Sequence, residues 1–76
     1  MMLNLFQFHH CPEIAALADK LADRVLMEDI AIDDAIKEWN KAVVKHNLQG
    51  IYDFPVEGYD RDALVWDLRR CADQLR

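Results

Sequence analysis

Glycine and proline are scarce. The chain of 76 residues holds two of each. Several short strands need more turn residues than that, so a many-stranded sandwich or barrel is excluded and long regular elements are expected. No apolar run is long enough to span a membrane. The N-terminal stretch is short and lacks a basic segment, and its apolar run breaks at His9 and His10, so it is not expected to act as a secretory signal. The two cysteines have no secretory context, which points to reduced thiols in the cytoplasm. There is no internal repeat, no low-complexity tract and no Gly-rich phosphate loop, because Gly50 and Gly58 stand apart in one segment.

Basic residues are also in deficit. Nine Lys and Arg stand against fourteen Asp and Glu, for a formal charge of −5. That balance disfavours general affinity for nucleic acid or an anionic membrane, which need cations to meet phosphates. It suits a basic protein partner or plain solubility. The hydrophobic fraction is 53%, too high for a disordered chain. A domain this small buries about 60% of the surface its unfolded chain exposes, so one core is feasible and a deep cleft is not expected.

Three amphipathic segments carry helical periodicity. In residues 12–28, Pro12 suits the first helical position, Glu13 follows in the first turn, and Ile14, Leu17, Ala18, Leu21 and Val25 form one stripe. In residues 33–48 the stripe is Ile32, Ala35, Ile36, Trp39 and Val43, with Asp33 expected as N-cap, Asp34 in the first turn and Gly50 as the stop. No Gly or Pro separates the two segments, which leaves one long helix as the alternative. A charge on the stripe at Glu28 and the weak helix formers Ile30 and Ile32 favour a break near residues 28–33. In residues 60–75, Asp60 is a good N-cap and Leu64, Leu68, Cys71, Ala72 and Leu75 make the stripe. The expected fold is all-α, a small three-helix bundle in a single domain, with a short two-stranded pairing possible between the apolar N-terminal arm of residues 1–10 and the 51–54 loop.

The residues that point to function are aromatic and charged. Trp66 lies about 200° around its helix from Leu64, among Asp62, Arg69, Arg70 and Asp73. It is either covered by Phe6, Phe8 or Tyr52, with Arg70 stacking at i+4, or exposed as a binding anchor. Trp and Arg are enriched at interface hot spots. The expected function is therefore non-catalytic protein binding, possible also as a homodimer. It would use Trp66 and Arg70, with Phe6, Phe8, Tyr52 and Tyr59 around them, and the acids Asp33 and Asp34 at a separate corner. The arm either closes the bundle or reaches a second copy.

Three alternatives belong to other classes. Acids at Glu28, Asp29, Asp33 and Asp34, and again at Asp53, Glu57, Asp60 and Asp62, suit an inhibitor of phage or mobile-element type that imitates nucleic acid toward a basic target. They lack the spacing of a calcium loop, and helix capping and solubility account for several of them. His9, His10 and Cys11 suit a metal- or thiol-dependent factor by residue type. Their adjacency lacks zinc spacing, and no orienting acid or oxyanion loop completes a Cys–His nucleophile, so neither a metal, a cofactor nor catalysis is expected. Lys37, Lys41 and Lys45 form the only basic stripe, enough for weak, salt-sensitive DNA binding at most.

Overall fold

A computed structural model describes residues 10–76 and shows three helices, with no strand among the described residues. They are α1 (Pro12–Leu26), α2 (Ile32–Lys45) and α3 (Arg61–Leu75). Each follows the periodicity of its sequence. The buried positions are Ile14, Ala15, Ala18, Leu21, Ala22 and Val25 on α1, Ala35, Ile36, Trp39 and Val43 on α2, and Leu64, Leu68, Cys71, Ala72 and Leu75 on α3. Leu48 and Tyr52 from the loop complete one core.

α1 packs on α3 most extensively and on α2 to a lesser extent. Ala18, Ala22 and Ala72 are fully buried, and such small side chains let α1 and α3 approach closely. The pair is antiparallel. The Cys11 N–H donates to the Leu75 carbonyl at 2.7 Å at one end, and Arg61 meets Glu28 at 2.9 Å at the other. Arg69 bridges Asp23 at 2.7 Å and Arg76 bridges Asp19 at 3.0 Å along the seam. These pairs lie at the surface, where solvent screens them and they contribute little.

The break between α1 and α2 is where the charge on the stripe placed it, and its mechanism is a backbone one. Glu28 adopts φ 61. Its N–H donates to the Val25 carbonyl at 3.1 Å, and the Asp29 N–H donates to the Arg24 carbonyl at 2.8 Å. This is the left-handed double closure that satisfies the last helical carbonyls. α2 ends the same way. Asn47 adopts φ 63 and donates to Val44, while Leu48 donates to Val43 and is buried. The stop is therefore Asn47 and not Gly50, and α2 ends at Lys45, short of residue 48. Glutamate is an unusual residue for a left-handed position, where a side chain costs about 1–2 kcal/mol. Glu28→Gly and Glu28→Ala both remove the Arg61 pair, so their difference isolates the backbone. Glu28→Gly is expected to be the more stable of the two by about 1 kcal/mol in urea unfolding. Equal midpoints would show that the turn stores no such strain.

Two capping expectations divide. Asp60 caps α3, accepting from the Ala63 N–H at 2.8 Å, so Asp60→Ala is expected to cost about 1 kcal/mol by thermal melting. Asp33 does not cap α2. The N-cap is Ala31, which makes no side-chain cap bond, and Asp33 and Asp34 lie in the first turn. The helix starts earlier than the acids suggested because Ile32 joins the partly buried apolar packing.

The expected pairing of residues 51–54 with the arm is not formed as a strand on the loop side, and the arm lies outside the described residues. Other groups take the loop's backbone. Ile51 and Tyr52 N–H both donate to the Leu48 carbonyl, at 3.3 and 3.2 Å. The Tyr52 carbonyl accepts from Trp39 Nε1 at 2.8 Å. Phe54 exchanges two hydrogen bonds with the Asn40 side chain.

Candidate functional site

The site is built where α3 meets the 46–60 loop. Asn40, on α2, holds that loop in the manner of a missing strand. Its Nδ2 donates to the Phe54 carbonyl at 2.7 Å, and its Oδ1 accepts from the Phe54 N–H at 2.8 Å. One residue earlier, Trp39 is fully buried, donates to Tyr52 and stacks on Phe54 with ring centroids 5.9 Å apart. Phe54 in turn meets Tyr59 at 5.4 Å. Tyr59 is half-buried, and its hydroxyl donates to Asp67 Oδ2 on α3 at 2.6 Å. The loop is thus tied to α2 through an amide and an indole, and to α3 through a phenol.

Between this loop and α3 lies a groove of about 200 Å³, lined by Ile51, Tyr52, Phe54, Asp67, Arg70, Cys71 and Gln74. Cys71 is buried, and desolvation first, then the nearby Asp67 charge, push its thiol up to about 11. The protonated thiol is a poor nucleophile. Burial first, then the hydrogen bond to Asp67, push Tyr59 up to about 12. Both groups are neutral in the folded state and ionise more easily when unfolded. Their stabilisation is therefore fully present below the unfolded values and is lost as pH rises through the folded ones. Urea stability is expected to fall between about pH 9 and 12, with a shallower fall in Tyr59→Phe. An unchanged slope in that variant would separate Tyr59 from the alkaline limb.

Beside the groove, on the side of α3 away from the core, Trp66 is 64% exposed. The Arg70 guanidinium stands 5.6 Å from the ring centroid, one helical turn on. Among the described residues nothing covers this indole; Phe6 and Phe8 lie outside them. Tyr52, expected near Trp66 at the surface, is 6% exposed and forms groove wall and core instead. Sequence reading grouped Trp66, Arg70, Tyr52 and Tyr59 around α3. It passed over Asn40 and Asp67, the two polar residues that position the loop. A polar residue of weak helix propensity directly after a core Trp is the signal that marks Asn40.

The remaining candidates are dispersed. Asp33 and Asp34 are exposed at the α1–α2 corner, but their neighbours are compensated: Glu28 pairs with Arg61, and Asp29 with Arg24 at 3.5 Å. His10 is exposed and Cys11 half-buried, while His9 lies outside the described residues. His46 turns to Glu13, at 3.3 Å. No group of three or more metal-ligating side chains forms among the described residues. Lys37, Lys41 and Lys45 form an exposed stripe on α2. Among the described residues no helix is long and apolar enough to cross a membrane.

Comparison of the chain with protein-family models, with curated proteins and with solved structures finds no match. The geometry therefore carries the functional argument alone.

Proposed function

We propose that this protein is a non-catalytic protein-binding module whose contact face is the outer side of α3, centred on Trp66 and Arg70. The exposure of Trp66 carries the reading. A large indole left mostly in water contributes little burial to the fold, and the Arg70 guanidinium over its ring favours one orientation before a partner arrives. Asp62 and Asp73 on the same face supply a charged rim around an apolar centre. The module works in the cytoplasm, where its free thiols Cys11 and Cys71 suit reducing conditions. A second copy is one partner that this face accommodates. The nucleic-acid-mimic reading is weaker, because Asp19, Asp23, Glu28 and Asp29 are all paired with arginines of this chain.

The test is crosslinking from a photoreactive residue placed at position 66, with position 41 on the lysine stripe as control. A single discrete adduct, either a dimer or one other protein, is expected from position 66 and not from position 41. Trp66→Ala is expected to weaken that association tenfold or more, by about 2 kcal/mol for a hot-spot residue, and to change the fold's stability by less than about 0.5 kcal/mol. Indistinguishable adducts from the two positions, or full association in Trp66→Ala, would sink the reading.

A further inference from the structure

Four of the chain's five arginines are engaged by its own carboxylates. Arg24 meets Asp29 at 3.5 Å, Arg61 meets Glu28 at 2.9 Å, Arg69 meets Asp23 at 2.7 Å, and Arg76 meets Asp19 at 3.0 Å. Arg70 meets no carboxylate among the described residues. Its guanidinium lies over the Trp66 ring instead. The acids closest to it along α3 are engaged elsewhere. Asp67 accepts from the Tyr59 hydroxyl at 2.6 Å, and Asp73 pairs with Arg76 at 2.9 Å. A guanidinium carries its donors along its edge, so a ring against its face leaves them available to a carboxylate.

Arg70 also borders the groove of about 200 Å³, where exposed Ile51, half-buried Phe54 and buried Cys71 supply apolar surface. A cavity of about 150 Å³ takes a benzene ring, so this space suits one side chain the size of Leu or Phe. Backbone groups of the loop do not compete for an anion. The Gly50 N–H donates to Asp53 at 2.7 Å, those of Ile51 and Tyr52 donate to the Leu48 carbonyl, and that of Phe54 donates to Asn40. Capture of a chain terminus needs free backbone N–H groups, and strand addition needs a free edge. Polyphosphate is disfavoured as well, because Asp62, Asp67 and Asp73 share α3 with Arg70.

We propose that this groove docks an acidic–apolar segment of a partner protein, with a large apolar side chain against Ile51, Phe54 and Cys71 and a neighbouring Asp or Glu side chain on Arg70. The apolar seat supplies affinity, and the charge-assisted contact to Arg70 supplies selectivity. This rests on the contact face proposed above and deepens it by naming what the partner presents.

The test selects a displayed library of random dodecapeptides on the immobilised full chain. Enriched peptides are then measured by fluorescence anisotropy as C-terminal amides. They are expected to share an Asp or Glu next to, or one residue away from, a large apolar side chain. Arg70→Gln is expected to weaken them by about tenfold or more, the scale of one hydrogen bond to a charged group. Replacing the peptide's acid by its amide is expected to weaken binding to wild type in the same way and to change little further in Arg70→Gln. That coupling is a readout which a merely structural role of Arg70 would not produce, and an unchanged melting curve for Arg70→Gln accompanies it. Peptides that Trp66→Ala weakens but that need no acid would overturn this inference and leave the contact face standing. Peptides that neither Trp66→Ala nor Arg70→Gln weakens, or no enrichment at all, would overturn both. Binding lost on C-terminal amidation, or a single-stranded oligonucleotide bound more tightly than any peptide, would assign the Arg70 guanidinium to a chain terminus or to nucleic acid and overturn the proposal.

Discussion

Trp39→Ala is expected to lower the melting temperature by about 12–40 °C, or to leave no cooperative transition at all. Trp39 is the largest fully buried side chain among the described residues. Truncating a buried Trp to Ala costs about 3–5 kcal/mol, through lost burial and the cavity left behind. A domain of this length has about 4–11 kcal/mol in total. The loss here reaches beyond volume. The indole N–H donates to the buried Tyr52 carbonyl, and its ring carries Phe54, so the alanine variant removes that donor and the floor of the loop together. Trp39→Phe separates the two effects. It keeps a ring against Phe54 while removing the donor and the smaller part of the ring volume, and it is expected to cost about 1–3 kcal/mol, less than the alanine variant. A melting midpoint for Trp39→Ala within about 5 °C of wild type would show that α2 and the loop are held some other way.

Periodicity made the helices legible because each one buries a stripe, and a stripe is a property of spacing alone. The α1–α2 break was legible from Glu28 on that stripe. Its cause was not, since nothing in a sequence marks a glutamate for the left-handed region in place of glycine. The end of α2 was misplaced for a related reason. Gly50 is the stronger stop by residue type, yet Asn47 tolerates the same conformation, and the burial of Leu48 just after it fixes the earlier exit. Asp33 failed as a cap because Ile32, just ahead of it, joins the partly buried apolar packing and carries the helix start back to Ala31.

The site was legible only in part. Trp66 stood out because it falls on the wrong side of its own stripe, a conflict that spacing reveals. Tyr52 and Tyr59 lie in a segment without periodicity, where one aromatic cannot be told from another. Their separation, Tyr52 into the core and Tyr59 onto Asp67, is decided by partners on α2 and α3 that are distant in sequence.

The second large effect concerns Asn40, which holds Phe54 between those two tyrosines. Asn40→Leu is expected to destabilise the fold by about 2–4 kcal/mol, because it removes both bonds to Phe54 and leaves its partly buried N–H and carbonyl without them. Asn40→Asp is expected to cost about as much at neutral pH, since an ionised carboxylate accepts from the N–H but faces the carbonyl with a negative charge. The two variants part in acid. A protonated carboxyl again offers one donor and one acceptor in nearly the amide's arrangement, so that variant's folded state prefers the proton. Its carboxyl is raised in the folded state above the unfolded value of about 3.9, and the stabilisation this brings is present below that value and lost as pH rises through the folded one. Urea titrations at neutral pH and near pH 4 should therefore show Asn40→Asp recovering part of its deficit relative to wild type, while Asn40→Leu recovers none. Parallel behaviour of the two would mean that the paired bonds to Phe54 do not hold the loop. The groove wall formed by Ile51, Tyr52 and Phe54 would then owe its position to Trp39, to the Leu48 carbonyl and to the Tyr59–Asp67 bond.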